Sequence, residues 1–139
     1  MVKTRVKIVI GSVLAAGFLL VGGCGSTSSN NGYGNTGGGN GCTASTAVAT
    51  TSVSASNANN AYTFTPSCIK VTSGQTVTWT VMGTMIHTVT SDAGAPATFD
   101  SGNLSPGQTF AYTFTTPGTI GYHCTYHVSF GMKGTVIVQ

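Results

Sequence analysis

Polar and apolar residues alternate with a period of two along much of the second half of the chain. Val77, Trp79 and Val81 share one side of a segment whose other side is Thr76, Thr78 and Thr80. Phe110, Tyr112 and Phe114 interleave with Ala111, Thr113 and Thr115, and Ile120, Tyr122 and Cys124 interleave with Gly121 and His123. Neighbouring side chains of a strand point to opposite faces, so each run predicts a strand with one buried face. Threonine is β-branched and polar, which suits the wet face. Val136 and Val138 predict a last strand. Ser73-Gly74, Ser105-Pro106-Gly107 and Pro117-Gly118 supply turns between the runs. Thr43 to Ser56 alternates weakly and predicts a first, irregular strand. No segment places apolar residues at a convincing helical spacing. The 98 residues from Cys42 to Gln139 are the size of one small β-sandwich.

The N-terminus has a different pattern. Lys3, Arg5 and Lys7 precede an unbroken run from Ile8 to Val21, 14 residues long. That is short of the roughly 20 apolar residues that span a membrane, and it fits an export signal. The run ends in Val21-Gly22-Gly23-Cys24, which resembles a bacterial lipobox. The resemblance implies removal of residues 1–23 and attachment of lipid to Cys24. Gly25 to Gly41 is built of Gly, Ser, Asn and Thr with one Tyr. Such a segment has no apolar face to bury, so residues 24–41 are expected to be a lipidated Cys and a flexible tether reaching about 20–25 Å. Residues 42–139 are then an exported domain, held on the extracytoplasmic side of a membrane, periplasmic or at the cell surface.

Composition narrows the function. Of 139 residues only seven are charged, five Lys or Arg and two Asp. The formal charge of +3 comes from the N-terminal Lys3, Arg5 and Lys7. Without them, Lys70 and Lys133 balance Asp92 and Asp100, which excludes a nucleic-acid-binding surface. There is no Gly-x-Ser-x-Gly segment and no paired carboxylate motif, so a serine hydrolase has no support.

The chemistry gathers near the C-terminus. Tyr122-His-Cys124-Thr-Tyr-His127-Val-Ser-Phe-Gly-Met132 places a thiol, an imidazole and a thioether at C-x2-H-x4-M spacing. A loop between two strands can fold all three around one point. Of the three histidines, His123 is adjacent to Cys124, so alternation turns it to the other face. His87 is therefore the candidate fourth ligand. Two imidazoles, a thiolate and a distant Met make the blue-copper donor set, in which soft sulfur favours Cu(I) and imidazole serves both oxidation states.

In these residues the chain resembles the cupredoxins, especially plastocyanin and pseudoazurin. The resemblance runs from about Tyr62 to Gln139. It includes Phe64-Thr-Pro66, Gly74-Gln-Thr-Val-Thr-Trp79, Ile86-His-Thr-Val89, Phe99-Asp-Ser-Gly102, Ser105-Pro-Gly107, Pro117-Gly118 and the ligand loop. It implies a Greek-key β-sandwich of about eight strands with one type 1 copper ion at one end. His87, Cys124 and His127 would be the strong ligands and Met132 the weak axial one. The edge of His127, flanked by Val128, Phe130 and Met132, would be the electron port to redox protein partners, with the protein acting as a monomer. Thr88 stands where many members carry Asn, which helps pin the ligand loops together. Met82 and Met85, just before His87, are expected to be packing residues rather than ligands. If Cys24 carries lipid and Cys124 binds metal, Cys42 and Cys68 are left to pair in an oxidising compartment.

One-electron transfer without substrate chemistry is the function expected, and the protein is not an enzyme on this reading. A trinuclear copper cluster or a second, His-rich catalytic site would need more than three histidines. A binuclear copper site would need two Cys in one loop. The alternatives are a copper carrier or sequestering protein using the same ligands, and a metal-free structural or adhesion sandwich.

Overall fold

In the computed structural model, which describes residues 41–139, the alternating segments become nine strands. They are β1 Val48–Ala49, β2 Ser52–Ser56, β3 Thr63–Thr65, β4 Cys68–Val71, β5 Thr76–Met82, β6 Thr90–Ser91, β7 Thr109–Thr113, β8 Gly118–His123 and β9 Lys133–Val138. One sheet has the order β1-β4-β9-β8-β6 and the other β3-β2-β5-β7. The fold is a β-sandwich, all-β apart from two short 3-10 turns. The expected export segment, Cys24 and the tether up to residue 40 lie outside the described residues.

The irregular first segment is a strand that changes sheets. β1 pairs parallel with β4, and after Thr50-Thr51 the chain crosses over so that β2 pairs parallel with β5. Counted separately, its two halves bring the strands to nine rather than about eight. A disulfide between Cys42 and Cys68, 26 residues apart, fastens the start of the domain to the first residue of β4.

The core lies where the two inner faces meet. Trp79 of β5 is completely buried, with Phe99, Phe110, Phe114 and Tyr122 around it at ring-centre distances of 5.4–6.3 Å. Each well-oriented aromatic pair adds about 0.5–1.5 kcal/mol beyond the burial of its area. Phe110 and Tyr112 are only half-buried, because β7 is an edge strand. Among the described residues the buried Trp79 Nε1 and Tyr122 OH have no hydrogen-bond partner of good geometry, and burial pushes the Tyr122 phenol above its usual range, against a smaller opposing effect of the neighbouring Trp79.

Two loops at one end position the chemistry. β8 and β9 are antiparallel neighbours in register up to His123 opposite Lys133, so the residues between them form a closed loop. Tyr122 lies opposite Gly134 in that register, and a Cβ at 134 would collide with the Tyr122 ring. The β5–β6 connection carries His87, fixed by a two-way backbone bridge. His87 N–H donates to Leu104 O at 3.1 Å, and Leu104 N–H donates to His87 O at 2.9 Å.

Candidate metal centre

Cys124 follows the last residue of β8 and continues its inward alternation, so its side chain is fully buried. Its N–H donates to Met132 O, and Met132 N–H donates to His127 O, each at 3.2 Å. These bonds draw the loop closed. His127 N–H donates to Cys124 O at 3.1 Å, and a 3-10 turn at Val128–Phe130 follows. Gly131 ends the turn in the left-handed region, φ 85°, which an L side chain enters only with strain.

The loop and the β5–β6 connection bring three donors together. Cys124 Sγ lies 3.7 Å from His87 Nδ1 and 3.4 Å from His127 Nδ1. The donor atoms of His87, Cys124 and His127 all lie within 4.8 Å of one another, and all three residues are buried. Burial lowers the pKa of both imidazoles, and for His87 the neighbouring His127 lowers it further. Both shifts favour the neutral ring, the form that offers a lone pair to a metal. Among the described residues the buried His87 Nε2 has no hydrogen-bond partner, so on that side the ring is kept in place by packing. One thiol and two neutral imidazoles in a closed apolar pocket fit copper of the type 1 class. Met132 is completely buried in the same core as Cys124.

Thr88 joins the two ligand-bearing segments. Its N–H donates to Cys124 Sγ at 3.3 Å, and its Oγ1 accepts from Thr125 N–H at 2.9 Å. The same hydroxyl meets Thr125 Oγ1 at 3.2 Å and Thr90 Oγ1 at 3.1 Å. A short Thr thus ties the loops where many cupredoxins use Asn. His123 points away from the donors. Its Nδ1 lies 2.6 Å from Asp92 Oδ1 on the other face of β8.

Around the centre the surface is apolar. Phe130 is 68% exposed, Tyr126 53% and Val128 37%, whereas His127 itself is only 6% exposed. Met132 is wholly buried, so it takes no part in this surface. Met82 and Met85 are not the packing residues expected from the sequence: they are 52% and 41% exposed. Met82 is the last residue of β5, where the burial alternation turns its side chain outward. Met85 borders a shallow depression shared with Thr84, Ile86, Tyr126 and His127.

One neighbour of the centre had no reading from sequence. Tyr62 lies flat on His127, with ring centres 4.1 Å apart and planes within 11°. The signal was the alternation Tyr62-Thr63-Phe64-Thr65, which puts Tyr62 on the inward face with Phe64, next to the ligand loop.

Comparison with known proteins gives the same picture. The sequence profile of the copper binding proteins, plastocyanin/azurin family, matches residues 51–139. The chain is 36% identical over 89 residues to the plastocyanin of Scenedesmus fuscus, which covers 58% of this chain and 91% of that one. It is 40% identical over 83 residues to the halocyanin of Natronomonas pharaonis, covering 58% of this chain and 51% of the halocyanin, about half its length. The oxidised plastocyanin structure from Dryopteris crassirhizoma superposes with a TM-score of 0.55 at 34% identity, covering 63% of this chain and 99% of that one. With its matching profile and its buried His-Cys-His cluster, the chain belongs to the plastocyanin/azurin family of copper binding proteins.

Proposed function

We propose that the protein is a one-electron carrier that holds a single type 1 copper ion on His87, Cys124 and His127, with Met132 as the weak axial ligand. The bound copper supplies a Cu(I)/Cu(II) couple. The observation that carries this reading is the closed arrangement of the donors. The His87–Leu104 bridge, the Thr88 N–H to Cys124 Sγ bond and the loop-closing bonds at Cys124 and Met132 all hold the donors before any metal arrives. A site that does not rearrange between oxidation states exchanges electrons at low reorganisation cost. His127, at the rim, is the ligand nearest solvent, and Val128 and Phe130 beside it form the apolar port for redox protein partners.

We further propose that Cys24 is lipidated and that the domain works as a monomer on the extracytoplasmic side of a membrane. The plastocyanin and halocyanin relatives support the carrier role, and the lipobox pattern supports the anchor. The charge balance in residues 42–139 implies docking through apolar contact with little long-range steering.

Loading the full chain in detergent with Cu(II) tests the reading. An intense blue thiolate charge-transfer band, bleached by ascorbate, restored by oxidant and lost in Cys124→Ser, is expected. A colourless or ordinary tetragonal Cu(II) spectrum would refute it. The exposed Met85 beside His127 favours a second reading, a copper carrier. That reading is supported instead if the protein passes copper to an acceptor faster than it exchanges electrons.

A further inference from the structure

The three strong ligand residues are held in different surroundings. His87 is fully buried and sits in a two-way backbone bridge. Cys124 continues β8, and its sulfur receives a backbone N–H. His127 lies in the loop, just before a 3-10 turn. Its only side-chain polar contact among the described residues is Nδ1 toward Cys124 Sγ. Its backbone is held by the bonds to Cys124 O and from Met132 N–H, but these fix the chain and leave the tilt of the ring to packing.

Tyr62 is placed to fix that tilt. It lies outside the ligand loop, immediately before β3, which is hydrogen-bonded into the smaller sheet. Its ring is nearly parallel to the His127 imidazole, and Phe130 closes on Tyr62 at 5.1 Å. A stacked ring opposes rotation of the imidazole out of its plane while leaving Nδ1 free for a metal. We propose that Tyr62 is a positioning residue of the metal centre, a clamp that holds His127 in one orientation whether the copper is oxidised or reduced. The proposal rests on copper being held by His127, and it deepens that reading by assigning the residue that orients this ligand.

The test compares Tyr62→Leu and Tyr62→Phe in the full chain, with Phe64→Leu as a control. Phe64 is a buried β3 residue that packs on Tyr122. The first readout is the rate at which reduced, copper-loaded protein gives up its metal to a Cu(I) chelator. Groups that orient metal ligands are typically worth about 10–100-fold in metal affinity, so Tyr62→Leu should release copper about tenfold faster. The second readout is electron self-exchange. A ring free to tilt adds reorganisation between the oxidation states, so the exchange should slow. Tyr62→Phe should restore both rates, because the stack needs the ring and not the hydroxyl. Phe64→Leu should lower the unfolding midpoint and leave copper release unchanged. The proposal is overturned if Tyr62→Leu keeps both wild-type rates, or if Phe64→Leu releases copper as fast as Tyr62→Leu. The chelator readout needs no colour, so it tests the clamp even if the wild type lacks a blue band, an outcome that would refute the carrier reading alone.

Discussion

Thr88→Val would separate the hydroxyl that ties the two ligand loops from the shape that fills the space. Thr88 is buried, and valine matches its volume. The substitution removes the acceptor of the Thr125 N–H bond at 2.9 Å and the contacts to the Thr125 and Thr90 hydroxyls. A net hydrogen bond contributes about 0.5–1.5 kcal/mol. Thr125 is exposed and its bond to Thr88 only partly buried, so water can reach the freed amide and the expected loss is that of the bond and its hydroxyl contacts, about 1–1.5 kcal/mol. For a domain of this size that lowers the melting temperature by about 4–12 °C. Thr88→Ser is the counterpart: it keeps the hydroxyl and loses one methyl, worth about 0.8 kcal/mol. The assay is denaturant unfolding of the metal-free protein followed by Trp79 fluorescence, since the single Trp is fully buried. The slope must stay constant for the midpoints to report stability. A Val variant within about 0.5 kcal/mol of wild type, or a Ser variant worse than the Val variant, would refute the argument that the hydroxyl holds the loops. The bond to Cys124 Sγ comes from the backbone, so both variants should bind copper.

Other perturbations have equally defined outcomes. Replacing Cys42 and Cys68 together by Ser opens a 26-residue loop and should cost about 3.5 kcal/mol in the chain-entropy account, read from the denaturant midpoint; a loss below about 1 kcal/mol would show that the bridge barely constrains the unfolded chain. Gly134→Ala should destabilise by about 1–3 kcal/mol or more, because the new methyl meets the Tyr122 ring; a neutral result by thermal melting would mean the strands shift freely. In the metal-free protein, His87 and His127 have lowered values when folded, so below about pH 6.5 the unfolded chain takes up protons first. Their contribution is complete above that pH and declines as pH falls toward the folded values; an unfolding midpoint that does not change between about pH 8 and 5 would contradict it. Electron exchange should depend weakly on salt, and a steep fall with ionic strength would refute apolar docking.

Much of this was legible in the sequence because alternation is a strong signal wherever large apolar residues carry it. Val77, Trp79 and Val81 are all buried on one face of β5, and Ile120, Tyr122 and Cys124 share a buried face. Thr43 to Ser56 is built of Ala, Ser, Thr and a few Val, side chains too small to mark an inner face. The change of sheet at Thr50-Thr51 was therefore invisible. Spacing marked His87, Cys124 and His127, which the fold brings together. Tyr62 escaped because its role depends on a stacking contact across 65 residues of chain, and local pattern does not encode such contacts. Residue type alone points Met82 and Met85 to packing, whereas their exposure depends on where the strand ends.

The short outer strands bear on how copies of this protein meet one another. The five-stranded sheet ends at β1 and β6, two residues each, and β3 has three residues, all too brief to template another strand. β7 is different: five residues, Thr109–Thr113, on an open edge, with Thr109, Ala111 and Thr113 exposed and no Lys or Pro among them. In a domain whose lysines and aspartates cancel, no net repulsion keeps two such edges apart. Self-association at high concentration should begin there, and a single charge at Ala111 is the smallest change that would block it.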